Sequence, residues 1–131
     1  MPKHSHLGFT KLLVNQLEPA ADFYKSVCGL VEVARIEDEL AGRKISEIMF
    51  APTKEGSATF ILLSFEDSES PASQEVINGF NTPDLAAFIA RALEGGGQVV
   101  DQPKDYPDYK CRVAIVKDNE GHLIEVVQPL L

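Results

Sequence analysis

The order strand, helix, three strands occurs twice in this chain, and no other feature of the sequence limits the fold as much. In the first half, residues 8–14 alternate as a strand, with Phe9, Lys11 and Leu13 on one face and Thr10, Leu12 and Val14 on the other. Glu18 and Pro19 open a helix, Ala20 to Cys28 carries apolar residues at helical spacing, and Gly29 supplies the stop. Strands are predicted at about Leu30–Ile36, Lys44–Ala51 and Ala58–Phe65. The second half repeats the order. It has a strand at Glu75–Asn81, a helix at Asp84–Glu94 with Thr82 as N-cap and Pro83 at its first position, then Gly95-Gly96-Gly97. Strands follow at Gln98–Asp101, Lys110–Lys117 and Leu123–Gln128, the last two joined by the turn Asp118-Asn119-Glu120-Gly121. The helical stretches Ala20-Ala21-Asp22-Phe23 and Leu85-Ala86-Ala87-Phe88 are the most alike. Each half alone has too little core to stand by itself, so the two must combine. The expected fold is α+β, one domain over 1–131, built of βαβββ modules 7–66 and 74–129 in tandem and joined by the polar segment 67–73.

Charge narrows the partners. With 20 acidic against 12 basic residues the chain carries a formal charge of −8, which argues against a nucleic-acid backbone, since phosphate needs clustered Lys and Arg. No apolar run approaches the length of a membrane span, and the start of the chain lacks the apolar core of a signal peptide. A cytoplasmic location and no membrane partner are the expectation. Cys28 and Cys111 are far apart and outside any metal-ligand spacing, so they read as small buried hydrophobes and not as a disulfide.

Two motifs carry a family resemblance. One runs from Phe9-Thr10-Lys11-Leu12-Leu13-Val14 through Asp22-Phe23-Tyr24-Lys25 to Cys28-Gly29-Leu30, with Cys28-Gly29 where the family has Leu-Gly. The other is the C-terminal stretch from Lys117 to Gln128, an acidic turn followed by a strand containing Glu125, with Asn119-Glu120 in place of the usual Pro-Asp. With the repeated order, the chain resembles the vicinal oxygen chelate superfamily of glyoxalases, bleomycin-resistance proteins and extradiol dioxygenases over roughly residues 7 to 129. The resemblance implies that the modules curl their mixed sheets into a cup for a small-molecule ligand or substrate, in many members as a homodimer.

The resemblance also implies four ligand positions for a divalent metal, on the first and last strand of each module. Here they carry Phe9, fifteen residues before Tyr24, then Ile61 (or Leu62 one residue on), Ile77 and Glu125. Glu75 shares the face of Ile77 and Gln74 does not, while His4 and His6 fall near the terminus. His122 is three residues from Glu125 and so on the opposite side of that strand, where a turn-flanking role is expected. One carboxylate does not hold a catalytic metal, so no metal and no cofactor are expected.

What remains is an organic pocket. Lys11, Arg112 and Glu125 beside Phe9, Ile61 and Ile77 would make a largely apolar cavity with a few placed polar groups. If Cys111, Val113 and Ile115 face the helices, then Arg112, Ala114 and Val116 line the cup. An alternative is that Glu125 simply pairs with Lys11 or Arg112 as a buried salt bridge. Tyr106 and Tyr109, with Pro103 and Pro107, form an aromatic-rich loop that either caps the cup or packs outside it. The function expected is a metal-free small-molecule-binding protein. The rival is a divergent enzyme, either a glyoxalase-like lyase or isomerase with Glu125 as general base and Lys11 or Arg112 stabilising an enediolate, or a dioxygenase-like enzyme with Glu125 as its sole retained ligand.

Overall fold

A computed structural model describes residues 7, 9–40, 43–67 and 76–130. His4, His6, Gln74 and Glu75, like most of the 67–73 segment, lie outside the described residues. Two four-stranded mixed sheets are present, and they have the same strand plan. Sheet A runs β1–β4–β3–β2, built from β1 (Phe9–Leu13), β2 (Glu32–Leu40), β3 (Arg43–Phe50) and β4 (Thr59–Phe65). Sheet B runs β5–β8–β7–β6, built from β5 (Asn78–Asn81), β6 (Gln98–Tyr106), β7 (Cys111–Lys117) and β8 (Leu123–Pro129). In each, the first strand pairs parallel with the last and the remaining pairs are antiparallel. The repeat read from the sequence is therefore a repeat of topology.

The helices are α1 (Leu17–Cys28) and α2 (Leu85–Glu94). In α1, Ala20, Ala21, Phe23, Tyr24 and Val27 are buried, the stripe that a 3.6-residue period places on one side. Glu18 in its first turn and Lys25 in its last suit the helix dipole, and Gly29 follows in the left-handed conformation at φ 71°. Asp84, and not Thr82, caps α2, its carboxylate accepting from the Ala87 N–H at 3.0 Å. Thr82 instead takes the Asp84 N–H on its hydroxyl at 3.3 Å, which leaves Pro83 outside the helix.

The chain divides into two compact units that do not follow chain order. One contains sheet A. The other contains sheet B and both helices, so α1 is grouped with the second sheet although it precedes β2 in sequence. Within that unit α2 packs on β6, β7 and β8, and the Arg91 side chain donates to the Val27 carbonyl of α1 at 3.1 Å. Phe80 of β5 lies between Tyr24 of α1 and Phe88 of α2, each ring 6.4 Å away.

Sheet B thus has a helix face and an open face. Ala114, Val116, Ile124 and Val126 are fully buried on the first. Val113, Ile115, Leu123 and Val127 are half-buried on the second. The longest departure from the expected boundaries is β6, which runs to Tyr106 where the sequence suggests a loop after Asp101. Pro103 breaks the alternation but sits between the bulged positions Asp101 and Lys104 of an edge strand, where a missing N–H removes no ladder bond. Only Pro107–Tyr109 remains as a 3-10 turn before β7. Among the described residues no helix is long and apolar enough to cross a membrane.

Candidate functional site

Glu125 stands in the middle of β8 on the open face of sheet B. Its cross-strand neighbours are Ile115 on β7 and Gly79 on β5. It is exposed, and its carboxylate makes no salt bridge or hydrogen bond among the described residues. A cleft of about 590 Å³ opens there, lined by Val113, Ile115, Glu125 and, from the bulged edge strand, Asp101, Lys104 and Tyr106. Val113 and Ile115 form an apolar floor, and the charged groups of Asp101, Lys104 and Glu125 stand around it. The space beside Glu125 is open on the β5 side as well, because a Cβ placed on Gly79 would meet only the Glu125 carbonyl oxygen, at 3.9 Å.

Arg112 is not part of this group. Its partner across the ladder is Gln128, whose side chain accepts from the Leu85 N–H at the start of α2, so the pair lies on the helix face. The buried side chains of Ala114 and Val116 share that face, although Ala114 also borders the cleft beside Glu125. Strand parity separates the two alternating sets of β7 but does not say which of them meets the helices. The Arg112 guanidinium donates to Asp105 at 2.6 Å, and this hydrogen bond holds the Asp105 carboxyl below its ordinary range. A second hollow, of about 420 Å³, lies there between Leu85, Ala86, Pro103, Asp105 and Arg112.

Lys11 and Ile61 are brought together as cross-strand partners in sheet A, with Phe9 two residues before Lys11. Phe9 is 56% exposed, whereas Ile61 is buried at 4%. Lys11 does not wait for Glu125. Its ammonium lies 2.6 Å from Glu47 Oε2, and 5.7 Å from the centre of the Phe9 ring. Glu47 is only 6% exposed, flanked on β4 by its register partner Leu63. A buried carboxylate needs such a counter-charge. The sequence contains the signal for it: Glu47 interrupts the stripe Ile45, Glu47, Met49, and Lys11 is the cation on the neighbouring stripe. Ile77 is 54% exposed and lies just before β5.

The acidic turn after β7 is a structural hub. The buried Asp118 accepts the Tyr24 hydroxyl on Oδ2 at 2.7 Å and lies 2.8 Å from His122 Nδ1 through the same oxygen. Its Oδ1 takes the backbone N–H of Glu120 at 2.8 Å and of His122 at 2.9 Å. Burial by itself opposes ionisation of Asp118, but the hydrogen bonds from His122 and Tyr24 outweigh it and hold the carboxyl below its usual range. Burial, reinforced by the Asp118 charge, raises Tyr24 well above an ordinary phenol. His122 therefore flanks the turn, as expected, but does so half-buried and bonded. Burial also pushes the Cys28 thiol up to about 12, leaving it inert at neutral pH.

At the four positions the family resemblance points to, Phe9, Ile61 and Ile77 offer no donor atom. Glu125 is the one residue of the four with a ligating side chain. No three His, Cys, Asp or Glu side chains converge among the described residues.

Two mixed sheets of identical order, each βαβββ in chain order, define the glyoxalase/bleomycin-resistance type of α+β protein. The chain belongs to the Glyoxalase/Bleomycin resistance protein/Dioxygenase superfamily, whose family model matches residues 5–126. A glyoxalase family protein from Bacillus cereus has the same fold at 20% identity, with a TM-score of 0.83 over 100% of this chain and 99% of the other. TnmS3, an antibiotic binding protein from a Streptomyces strain, is 27% identical, with a TM-score of 0.69 over 98% and 99% of the two chains. A glyoxalase/bleomycin resistance protein/dioxygenase family enzyme from Burkholderia phytofirmans is 14% identical, with a TM-score of 0.72 over 96% and 100%. Among proteins of curated function none matches this chain.

Proposed function

We propose that this chain is a small-molecule-binding member of its superfamily that works without a metal, and that its ligand lies on the open face of sheet B with Glu125 as the polar anchor. The observation that carries this reading is the cleft itself: a hydrocarbon floor of Val113 and Ile115 with an exposed carboxylate that nothing among the described residues neutralises. A cationic or hydrogen-bond-donating group on the ligand would supply the missing partner, and the net charge of −8 favours its approach. The antibiotic-binding neighbour supports a binding role over a catalytic one. A lyase reading would need a cation beside Glu125 to stabilise an enediolate, and Arg112 is committed to Asp105 on the other face.

The test is a fluorescence-anisotropy titration with rhodamine 123, a planar cation. Saturable binding is expected, weakened about fivefold in Glu125→Gln, the loss ordinarily seen when one exposed charge pair is removed. Binding should survive dialysis against EDTA. Absence of binding, an unchanged affinity in Glu125→Gln, or recovery only on adding a divalent metal would each overturn the proposal.

A further inference from the structure

The cleft is polarised, and the polarity runs along the strands. Asp101, Ile115 and Glu125 are register partners across β6, β7 and β8, so two carboxylates flank one isoleucine in a single row. One step along the sheet the row is Lys104, Val113 and Val127. Beyond it lies Tyr106, whose ring centre is 5.3 Å from the Lys104 ammonium. That contact draws the cation toward the aromatic end and away from Asp101. The register breaks at Asp101 and Lys104 are what put both groups in the cleft, since a bulge re-aims the residues on either side of it.

Spacing adds a length requirement. Strands lie about 4.8 Å apart and rise about 3.4 Å per residue, so Lys104 and Glu125, two strands and one two-residue step apart, have Cα atoms about 12 Å apart. The ground between them is Val113 and Ile115, both apolar. We infer that the cleft selects an amphoteric ligand: a flat apolar body carrying a cationic group for Glu125 and Asp101 at one end and an anionic group for Lys104, beside Tyr106, at the other. This rests on the reading of the cleft as the binding site and goes beyond it by assigning Lys104 as the residue that sets specificity. A purely cationic ligand would leave Lys104 without a counter-charge, and a purely anionic one would face two carboxylates.

Rhodamine 110, which bears a free carboxylate, and rhodamine 123, its methyl ester, share one ring system and differ in the anionic end. Rhodamine 110 should bind about fivefold tighter to the full chain, the gain of one exposed charge pair. Lys104→Met should abolish that preference, weakening rhodamine 110 while rhodamine 123 binds no more weakly than to the full chain, and Lys104→Arg should retain the preference. Equal affinity for the two dyes, or an equal loss of both in Lys104→Met, overturns the inference. If both dyes bind equally and both weaken in Glu125→Gln, the cleft stands as the site and only its amphoteric character falls. If neither binds, the cleft reading falls and this inference with it.

Discussion

Tyr24→Phe is the sharpest test of how the two ends of the second compact unit are held together. The change deletes one hydroxyl that donates to Asp118 Oδ2 at 2.7 Å, and leaves the rings of Phe23 and Phe80 their partner. A hydrogen bond to a charged acceptor contributes about 1.5–3 kcal/mol, and because Asp118 keeps three other donors the cost should fall near the lower end, about 2 kcal/mol. For a chain of this length that is a loss of roughly 8 °C in Tm. The pH dependence identifies the interaction. The folded Asp118 carboxyl is depressed, so its contribution is complete above its unfolded value, about 4, and is lost as pH falls through the folded one. The folded Tyr24 phenol is raised, so its contribution is complete below about pH 10 and is lost as pH rises further. Urea unfolding followed by circular dichroism should show the gap between wild type and Tyr24→Phe at full size near pH 7 and shrinking toward both extremes. A gap under about 0.5 kcal/mol at pH 7, or one that does not vary with pH, would refute the account, since an ordinary surface change falls in that range.

Three further outcomes are expected. Lys11→Met should cost about 2 kcal/mol in urea unfolding, less than for a fully buried pair because Lys11 keeps contact with water, and adding Glu47→Leu should recover most of it. At pH 8 a thiol reagent counted by mass spectrometry should modify Cys111 in the folded protein and reach Cys28 only after denaturation, because the Cys28 thiol is pushed up to about 12. Gly97→Ala should destabilise by more than about 2 kcal/mol, as its Cβ would overlap the Lys117 carbonyl oxygen, while Gly79→Ala should leave a thermal melt nearly unchanged.

The sequence by itself determined the repeat, both helices and the eight strands to within a few residues, because hydrophobic period and glycine stops are local signals. It also determined the poverty of donors: Phe9, Ile61 and Ile77 are hydrocarbon wherever they point. It placed Glu125 with Leu123 and Val127 correctly, since parity within one strand follows from a two-residue period. Parity between strands does not, so which side of β7 meets the helices stays open in the sequence. Arg112 looked inward only until the register with Gln128 and α2 put it on the helix face. β6 was legible as far as Asp101, after which Pro103 hid an edge strand that carries Lys104 and Tyr106 into the cleft. The pairing of Lys11 with Glu47 and of Tyr24 with Asp118 joins residues 36 and 94 positions apart in sequence. Long-range partners of that kind are chosen by strand order and by which sheet a helix covers, and only the tertiary structure decides either.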